Sequence, residues 1–233
     1  MSIKQLIAHS VLFFVLVNPV HAVVISSTFD AGDEGWIGIP GEGSSTFFAS
    51  GGNPGGHIQI IDIGGGGFLG SGAIAPSKFL GDLSGFDNGT LSVDLATFAG
   101  GGTTWSTFGM VLITGAGGDC DSSSDPGTLP FCALFDLTDT VPGSTWETFS
   151  APLTATAWGK TPLEWMTILA DVTKIEIGTD AFDGNDTTGI DNFTIRNRTT
   201  PVPVPATLWL FFSGLGSLGL LGRCRRKSNF VSL

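Results

Sequence analysis

Short runs of Val, Ile, Leu, Phe and Thr fill residues 23–198, and Gly, Pro, Asn and Asp separate them throughout. Each run has the length of a single strand, and the residues between the runs favour turns. Residues 90–95 and 174–177 also alternate polar and apolar side chains, as half-buried strands do. The pattern predicts an all-β domain with strands at residues 23–29, 45–49, 57–61, 90–98, 108–114, 145–151, 172–178 and 189–196.

A single segment has the signature of a helix instead. Pro162 suits the first turn, where its missing N–H costs no hydrogen bond, and Leu163 with residues 168–170 supplies apolar surface. The sequence therefore predicts one helix over residues 161–170. Many short strands with one small helix favour a β-sandwich, and residues 23–198 are long enough for one domain with its own core.

The N-terminal segment has the three parts of a secretory signal peptide. Lys4 supplies the positive charge, residues 6–17 form the apolar stretch, and residues 20–22 (VHA) form a small-residue cleavage site. We therefore predict that residues 1–22 direct export and are then removed, so that the mature chain begins at Val23.

Residues 199–233 have a second export-type layout, again in three parts. A Pro-rich motif at residues 201–206 precedes an uncharged run at residues 206–222, and a basic tail at residues 223–233 follows. As a helix the uncharged run would extend about 25 Å, close to the thickness of a bilayer core. The positive-inside rule keeps the basic tail in the cytoplasm. The layout predicts one transmembrane helix over residues 206–222.

This layout resembles the PEP-CTERM sorting signal of Gram-negative bacteria. The resemblance is carried by the motif and by the basic tail: Val202, Pro203, Val204, Pro205, Ala206, Arg223, Arg225 and Arg226. It implies a membrane-embedded exosortase as processing partner, with transient anchoring in the inner membrane before cell-surface display or secretion. Val204 stands where such a signal usually has Glu. The alternative is a permanent tail anchor that is not cleaved.

Charge narrows the choice of partners. All 21 acidic residues fall within residues 23–198, with only five basic ones: Lys78, Lys160, Lys174, Arg196 and Arg198. The predicted mature chain therefore carries 5 − 21 = −16, compared with −11 for the whole sequence. Such a surface repels nucleic acid, which is excluded as a partner, and it suits an extracellular protein or one that binds divalent cations.

Two of the three cysteines fall in one predicted loop region of the exported domain. Cys120 and Cys132 lie there, whereas Cys224 follows the apolar run. Export exposes the first two to an oxidising compartment, where a disulfide forms and persists. We expect a Cys120–Cys132 bond worth roughly 3 kcal/mol by the chain-entropy argument. Two free thiols are the alternative.

An ordered series of segments resembles the laminin B domain, also called laminin IV type A. The series comprises SGGNPGGH at 50–57, APSKFLGD at 75–82, GTLSVDL at 89–95, WETF at 146–149, PL at 152–153, Trp158, LADVT at 169–173 and GIDNF at 189–193. The resemblance implies a jelly-roll β-sandwich similar in architecture to galactose-binding domains and carbohydrate-binding modules. It also implies a non-catalytic, extracellular-matrix role.

Three classes of function follow from these observations. The first is a structural or adhesive protein of an exopolysaccharide or biofilm layer, and the second is a carbohydrate-binding protein that recognises that polysaccharide. The third is a small glycoside hydrolase. No nucleophile elbow, Ser/His/Asp order or HExxH motif is present in the sequence, which disfavours the third class.

Two acidic residues are candidate ligands for a structural calcium ion. Asp30 follows the first predicted strand and Asp191 lies in the last one, where jelly-roll modules related to the resembled family carry such ligands. Carboxylate oxygens supplemented by backbone carbonyls and water suit this cation. The alternative is that both residues only make hydrogen bonds in turns or at strand edges.

Aromatic side chains are the candidates for sugar stacking. Trp36 lies between Gly35 and Gly38, and Trp105 lies in a Gly/Thr/Ser-rich loop, so both are predicted stacking platforms; the alternative for each is packing. Trp146 and Trp158 fall on positions of the laminin B-like series and are expected in the core. His57 lies at a strand start, where a packing role is favoured over that of a base.

Overall fold

The computed structural model describes residues 22–64, 67–104, 107–120 and 125–198, which belong to one compact unit. Its strands are β1 (Val24–Ser27), β2 (Ile37–Gly38), β3 (Gly43–Gly52), β4 (Gly55–Asp62), β5 (Gly72–Ile74), β6 (Gly89–Ala99), β7 (Met110–Gly115), β8 (Cys132–Asp136), β9 (Glu147–Leu153), β10 (Val172–Gly178) and β11 (Thr187–Arg196). One α-helix, α1 (Pro162–Ala170), lies between β9 and β10 in this part of the chain. The all-β prediction is confirmed.

The strands form two antiparallel sheets. The six-stranded sheet has the order β3-β4-β11-β6-β9, with β1 also paired to β11. The five-stranded sheet has the order β2-β5-β10-β7-β8. Strands that are far apart in sequence are neighbours in both sheets, so the two chain ends of the domain meet in one sheet, where Ser27 pairs with Phe193.

The inner faces of the two sheets share one core. Leu91, Val93 and Leu95 of β6 alternate with outward residues and pack in the same cluster as Ile175 and Ile177 of β10. This is the period of two expected when one face of a strand is buried. The alternation that predicted the strands therefore also fixes which side chains reach the outer faces.

Helix α1 confirms the predicted helix and begins one residue later, at Pro162. Thr161 caps it, since its hydroxyl accepts the backbone N–H of Glu164 while the Glu164 carboxylate accepts the backbone N–H of Thr161 at 2.9 Å. This reciprocal pair satisfies N–H groups that an uncapped helix leaves unpaired. The face that carries Trp165 packs on the core.

The predicted disulfide is present. Cys120 and Cys132 are bonded, with their Cα atoms 5.8 Å apart, and both are buried. They pack with Leu69 and Leu112 in a small apolar cluster separate from the main core. The bond thus ties the loop before β8 to the five-stranded sheet.

Both terminal segments lie outside the described residues. This holds for the signal peptide at residues 1–22, apart from Ala22, and for the Pro motif, the apolar run 206–222 and the basic tail. Among the residues that are described, no helix is both long and apolar enough to span a membrane. The sorting and membrane predictions therefore stay predictions.

Candidate functional site

A cleft crosses the outer face of the five-stranded sheet. Its floor carries Lys174 and Glu176, which face outward from β10 because Ile175 and Ile177 face the core, and Leu112 lies beside Glu176 on β7. The lining encloses about 320 Å³, within the usual range for small-ligand sites. The floor therefore combines apolar side chains with one charged pair.

That charged pair is an ion pair between neighbours on one face of a strand. The Lys174 Nζ lies 3.0 Å from the Glu176 Oε2, and the Glu176 side chain is only 5% exposed. Burying two charges costs about as much free energy as their attraction returns, so such a pair stabilises a fold little. In a cleft it supplies a fixed donor and acceptor that orient a polar ligand.

Two loops form the walls of the cleft. Phe68 and Leu69 of one loop and Cys120 of another line its sides, and Leu69 packs in the same apolar cluster as Cys120. The Glu42 carboxylate accepts the backbone N–H of Gly67 at 2.9 Å, and the Glu42 carbonyl accepts the N–H of Ile63, so one residue ties down the loop that carries Phe68. Phe68 is half-buried and presents a ring to the cleft.

A group of carboxylates surrounds Asp180, whose side chain lies against Gly70. Burial, together with the nearby charges of Asp186, Asp62 and Glu42, raises the pKa of Asp180 to about 7, although a backbone hydrogen bond from Ser71 opposes the shift. The backbone N–H groups of Ala181 and Phe182 bind one Asp186 oxygen. Asp180 therefore gains or loses a proton near neutral pH.

The two predicted calcium ligands are brought close to each other. Burial raises the pKa of Asp191 to about 6, and the negative charges of Asp94 and Asp30 add to the increase. Backbone N–H groups of Asn53 and Asn192 oppose it by binding the Asp191 carboxylate at 2.5 and 2.7 Å. The predicted alternative, a hydrogen-bonding role, thus describes part of what Asp191 does.

Metal binding at Asp30 and Asp191 remains a prediction. Within the described residues, no group of three or more His, Cys, Asp or Glu side chains is arranged to bind a metal ion. Two carboxylates would need backbone carbonyls and water to complete a calcium shell. Each Asp191 oxygen accepts one hydrogen bond and keeps further lone pairs, so the residues present fit that role.

The stacking prediction is wrong for Trp36. Its side chain is 1% exposed and packs edge-on against Phe193, with ring centroids 5.0 Å apart. Its Nε1 donates to the Ser27 hydroxyl at 2.8 Å. Gly35 has a φ of +86° in the turn that directs the ring inward. Glycine is therefore needed at this position for the backbone conformation and does not indicate an exposed ring.

The three other tryptophans considered in the sequence analysis have different placements. Trp105, the second predicted platform, lies outside the described residues. Trp158 is buried and stacks on Trp165 at 5.5 Å, as a core role requires. Trp146 is only half-buried and packs on the outer face of the six-stranded sheet against His57, at 5.3 Å between centroids. Sequence position had indicated a core role for Trp146, and the alternation of β9 could have shown the outward face.

A second, wider cavity of about 710 Å³ lies among loops at one end of the sandwich. Phe108 and Phe182 line it together with Asp136 and Asp139. Burial raises the pKa of Asp136, and the Asp139 charge adds to this. The cavity is walled by loops and lacks the strand-borne floor of the cleft.

Comparisons with solved structures return β-sandwich domains. The L4b domain of human laminin alpha-2 is 13% identical over 60% of this chain and 80% of its own length, with a TM-score of 0.44. The xylan-binding domain from carbohydrate-binding module family 22 is 16% identical over 77% of this chain and 96% of its own, with a TM-score of 0.45.

A family 11 carbohydrate-binding module from the Clostridium thermocellum cellulase Lic26A-Cel5E is 14% identical over 80% of this chain and 93% of its own, with a TM-score of 0.41. No protein-family model matches the chain, and no functionally characterised protein matches its sequence.

Proposed function

We propose that this protein is an exported, non-catalytic jelly-roll β-sandwich that binds extracellular polysaccharide and acts as an adhesive or structural component of a matrix. The observation that carries the proposal is the cleft on the five-stranded sheet. It combines apolar side chains, the Phe68 ring and the Lys174–Glu176 ion pair. Sugars present apolar C–H faces and hydroxyl groups, and this combination of surfaces matches both.

The charge of the chain limits the ligand class. With −16 on the predicted mature chain, and with Lys174 already paired to Glu176, an anionic polymer would be repelled. A neutral polysaccharide meets no such barrier. The proposed ligand is therefore a neutral glycan chain that lies along the cleft.

A glycan array tests the proposal. Full-length protein, kept soluble in a detergent without a sugar headgroup, is compared with Glu176→Gln, which keeps the shape of the side chain and removes its charge. We expect the variant to lose about tenfold in affinity, because the Lys174 ammonium loses the negative charge that holds it in place. The matched control is Glu147→Gln, an exposed residue of β9, and we expect it to bind like the wild type.

Two results would contradict the proposal. If the protein bound none of the neutral glycans on the array, the proposed ligand class would be wrong. Release of reducing ends from a bound polysaccharide would show that the non-catalytic assignment is wrong.

We also propose that an exosortase processes the chain near residues 201–206 during its passage through the inner membrane. The support is the sequence resemblance alone. Mass spectrometry of the protein from its native cell surface should recover peptides up to the Pro motif and none from residues 223–233. Recovery of an intact basic tail would establish a retained anchor instead.

A further inference from the structure

A second face of the domain carries a set of aromatic side chains. On the outer face of the six-stranded sheet, Phe48 of β3, His57 of β4, Phe98 of β6 and Trp146 beside β9 form one cluster, here called the aromatic face. His57 lies at its centre, stacked on Phe48 at 5.4 Å between ring centroids and 3% exposed. The cleft lies on the other sheet, so the two surfaces are on opposite sides of the sandwich.

A glycine in the central strand makes room for this cluster. Gly189 of β11 lies between Gln59 of β4 and Ala96 of β6. A Cβ on Gly189 would lie 2.6 Å from both Phe98 Cε2 and Trp146 Cη2, closer than real Cβ contacts come. The two rings therefore occupy the space above β11 where a side chain would stand.

The rings are fixed and partly open to solvent. The Trp146 Nε1 donates to the Gly51 carbonyl at 2.7 Å, which sets the orientation of the indole. Phe48 is 42% exposed, and Phe98 and Trp146 are half-buried. An exposed aromatic group held in one orientation has little conformational entropy to lose on binding.

Uncharged polar groups border the rings on the same face. Thr46 pairs with Gln59 next to the Phe48–His57 pair, and the Gln59 amide nitrogen lies 3.3 Å from the His57 Nε2. The exposed Thr148 hydroxyl donates to Asp94, so its oxygen remains an acceptor. Rings bordered by hydroxyl and amide groups match a sugar ring, which presents C–H groups at its centre and hydroxyls at its rim.

The exposed area of the aromatic face and the placement of basic residues favour a neutral sugar over a protein or an anionic polymer as its ligand. A stable protein interface buries roughly 800 Å² on each partner. A fully exposed aromatic side chain supplies only about 150–250 Å², and three of these four are already at least half covered. The aromatic face is therefore too small for a stable protein interface. The basic residues of residues 23–198 lie elsewhere: Lys78 pairs with Glu34, Lys160 binds the 127–129 loop, Lys174 lies in the cleft, Arg196 is the last residue of β11 and Arg198 follows it. None of these five basic side chains lies on the aromatic face to attract an anionic polymer.

We propose that the aromatic face is a second binding site for neutral polysaccharide, so that one protein molecule cross-links two polysaccharide chains. This inference rests on the proposed function of the cleft. Because the two sites are on opposite sheets of a sandwich, a single stretch of glycan does not reach both. A monomer with two such sites joins chains without needing to dimerise.

Affinity electrophoresis and light scattering test the proposal on the full-length chain in detergent without a sugar headgroup. The probes are soluble xylan, mixed-linked β-glucan and low-melting agarose. We compare wild type with Phe48→Ala at the aromatic face and Glu176→Gln at the cleft. Phe131→Ala, which removes a ring of similar exposure (37%) outside both sites, is the matched control. Thermal melts confirm that each variant is folded.

We expect wild type and Phe131→Ala to be retarded in the gel and to raise the scattering of long polysaccharide. Phe48→Ala and Glu176→Gln should each keep partial retardation, with a three- to tenfold weaker apparent affinity, and lose the rise in scattering. Titration with a short oligosaccharide should give two sites per wild-type chain and one per variant.

The outcomes are distinguishable. If Phe48→Ala matches wild type while Glu176→Gln loses all binding, the second site does not exist and the proposed function stands. If wild type is not retarded by any probe, both proposals are wrong. If sedimentation shows a wild-type dimer that Phe48→Ala dissolves, the aromatic face binds a second copy and not sugar.

Discussion

Trp146 donates a hydrogen bond from Nε1 to the carbonyl oxygen of Gly51, 95 residues away, at 2.7 Å. Trp146 directly precedes edge strand β9, and Gly51 lies near the end of β3, which is the opposite edge of the same sheet. One indole thus joins the two edges of the six-stranded sheet across its outer face. The position of the aromatic face depends on this contact.

Replacing Trp146 with Phe should destabilise the domain by about 1 kcal/mol. The change keeps an aromatic ring against His57 and Phe98 but removes the donor to Gly51. Urea unfolding followed by circular dichroism measures the difference from the wild-type midpoint. An unchanged midpoint would mean that the hydrogen bond adds nothing to stability.

Gly189→Ala should cost about 1–3 kcal/mol, because the new methyl group meets the Phe98 and Trp146 rings at 2.6 Å and pushes them outward. Gly85→Ala is the matched control, since nothing lies within 4 Å of its added Cβ. We expect Gly85→Ala to melt within a degree or two of wild type. Equal losses in the two variants would contradict a steric origin.

Asp180→Asn should stabilise the domain at neutral pH and not at acid pH. Burial and neighbouring carboxylates raise the pKa of Asp180 to about 7 from an ordinary value of 3.8, so the folded form holds a proton that the unfolded form releases. Wild-type stability therefore falls as pH rises from about 4 to about 7. The Asn side chain never ionises and escapes this loss.

We expect the gain at pH 8 to be on the order of 1–2 kcal/mol, because Asp180 is partly solvated and the full shift overstates the free energy. Melting temperatures at pH 4.5 and pH 8 give the comparison. Asp183→Asn, a nearby exposed position, is the control and should show no such difference between the two pH values. A pH-independent gain for Asp180→Asn would contradict the assignment.

Removing both half-cystines, as Cys120→Ala with Cys132→Ala, should lower the free energy of unfolding by about 3 kcal/mol, since the bond closes a short loop. Glycan binding in the cleft should weaken as well, because Cys120 forms part of its wall. Reduction of the wild type should reproduce both effects. A reduced protein with unchanged stability and binding would show that packing alone holds the loop.

Calcium should raise the melting temperature of the wild type and not that of Asp191→Asn. A site shared by Asp30 and Asp191 would be worth about 2.7 kcal/mol at a calcium concentration one hundred times its Kd. Asn keeps the shape of the side chain and removes the charge that the cation needs. Identical wild-type melts in calcium and in chelator would leave the amide contacts of Asn53 and Asn192 as the whole role of Asp191.

Much of the fold follows from sequence because the strands carry their own pattern. Residues 172–178 were predicted to be a strand and form β10 with those bounds. The strands β2 and β5 were missed, since two or three residues that include Gly have no pattern of their own; β5 is extended because it pairs with β10, and β2 because it pairs with β5. Residues of β8 were missed within the loop region of the cysteines.

The site was harder to predict than the strands. Lys174 and Glu176 were seen as the polar half of an alternating strand, but the sequence does not show that the polar face lines a cleft. Only the loops that carry Phe68 and Cys120 create that cleft, and they pack through contacts between residues far apart in sequence. The prediction that Trp36 is an exposed stacking platform was wrong because glycine neighbours indicate a turn but not the direction in which the ring points.

The Cys120–Cys132 bond has a consequence for when this protein becomes active. Thiols stay reduced in a bacterial cytoplasm and pair after export. Under the proposed export, a newly made chain lacks one finished side of its cleft until the bond forms outside the cytoplasm. Oxidation then acts as a maturation step, and the proposed affinity for polysaccharide develops only after export.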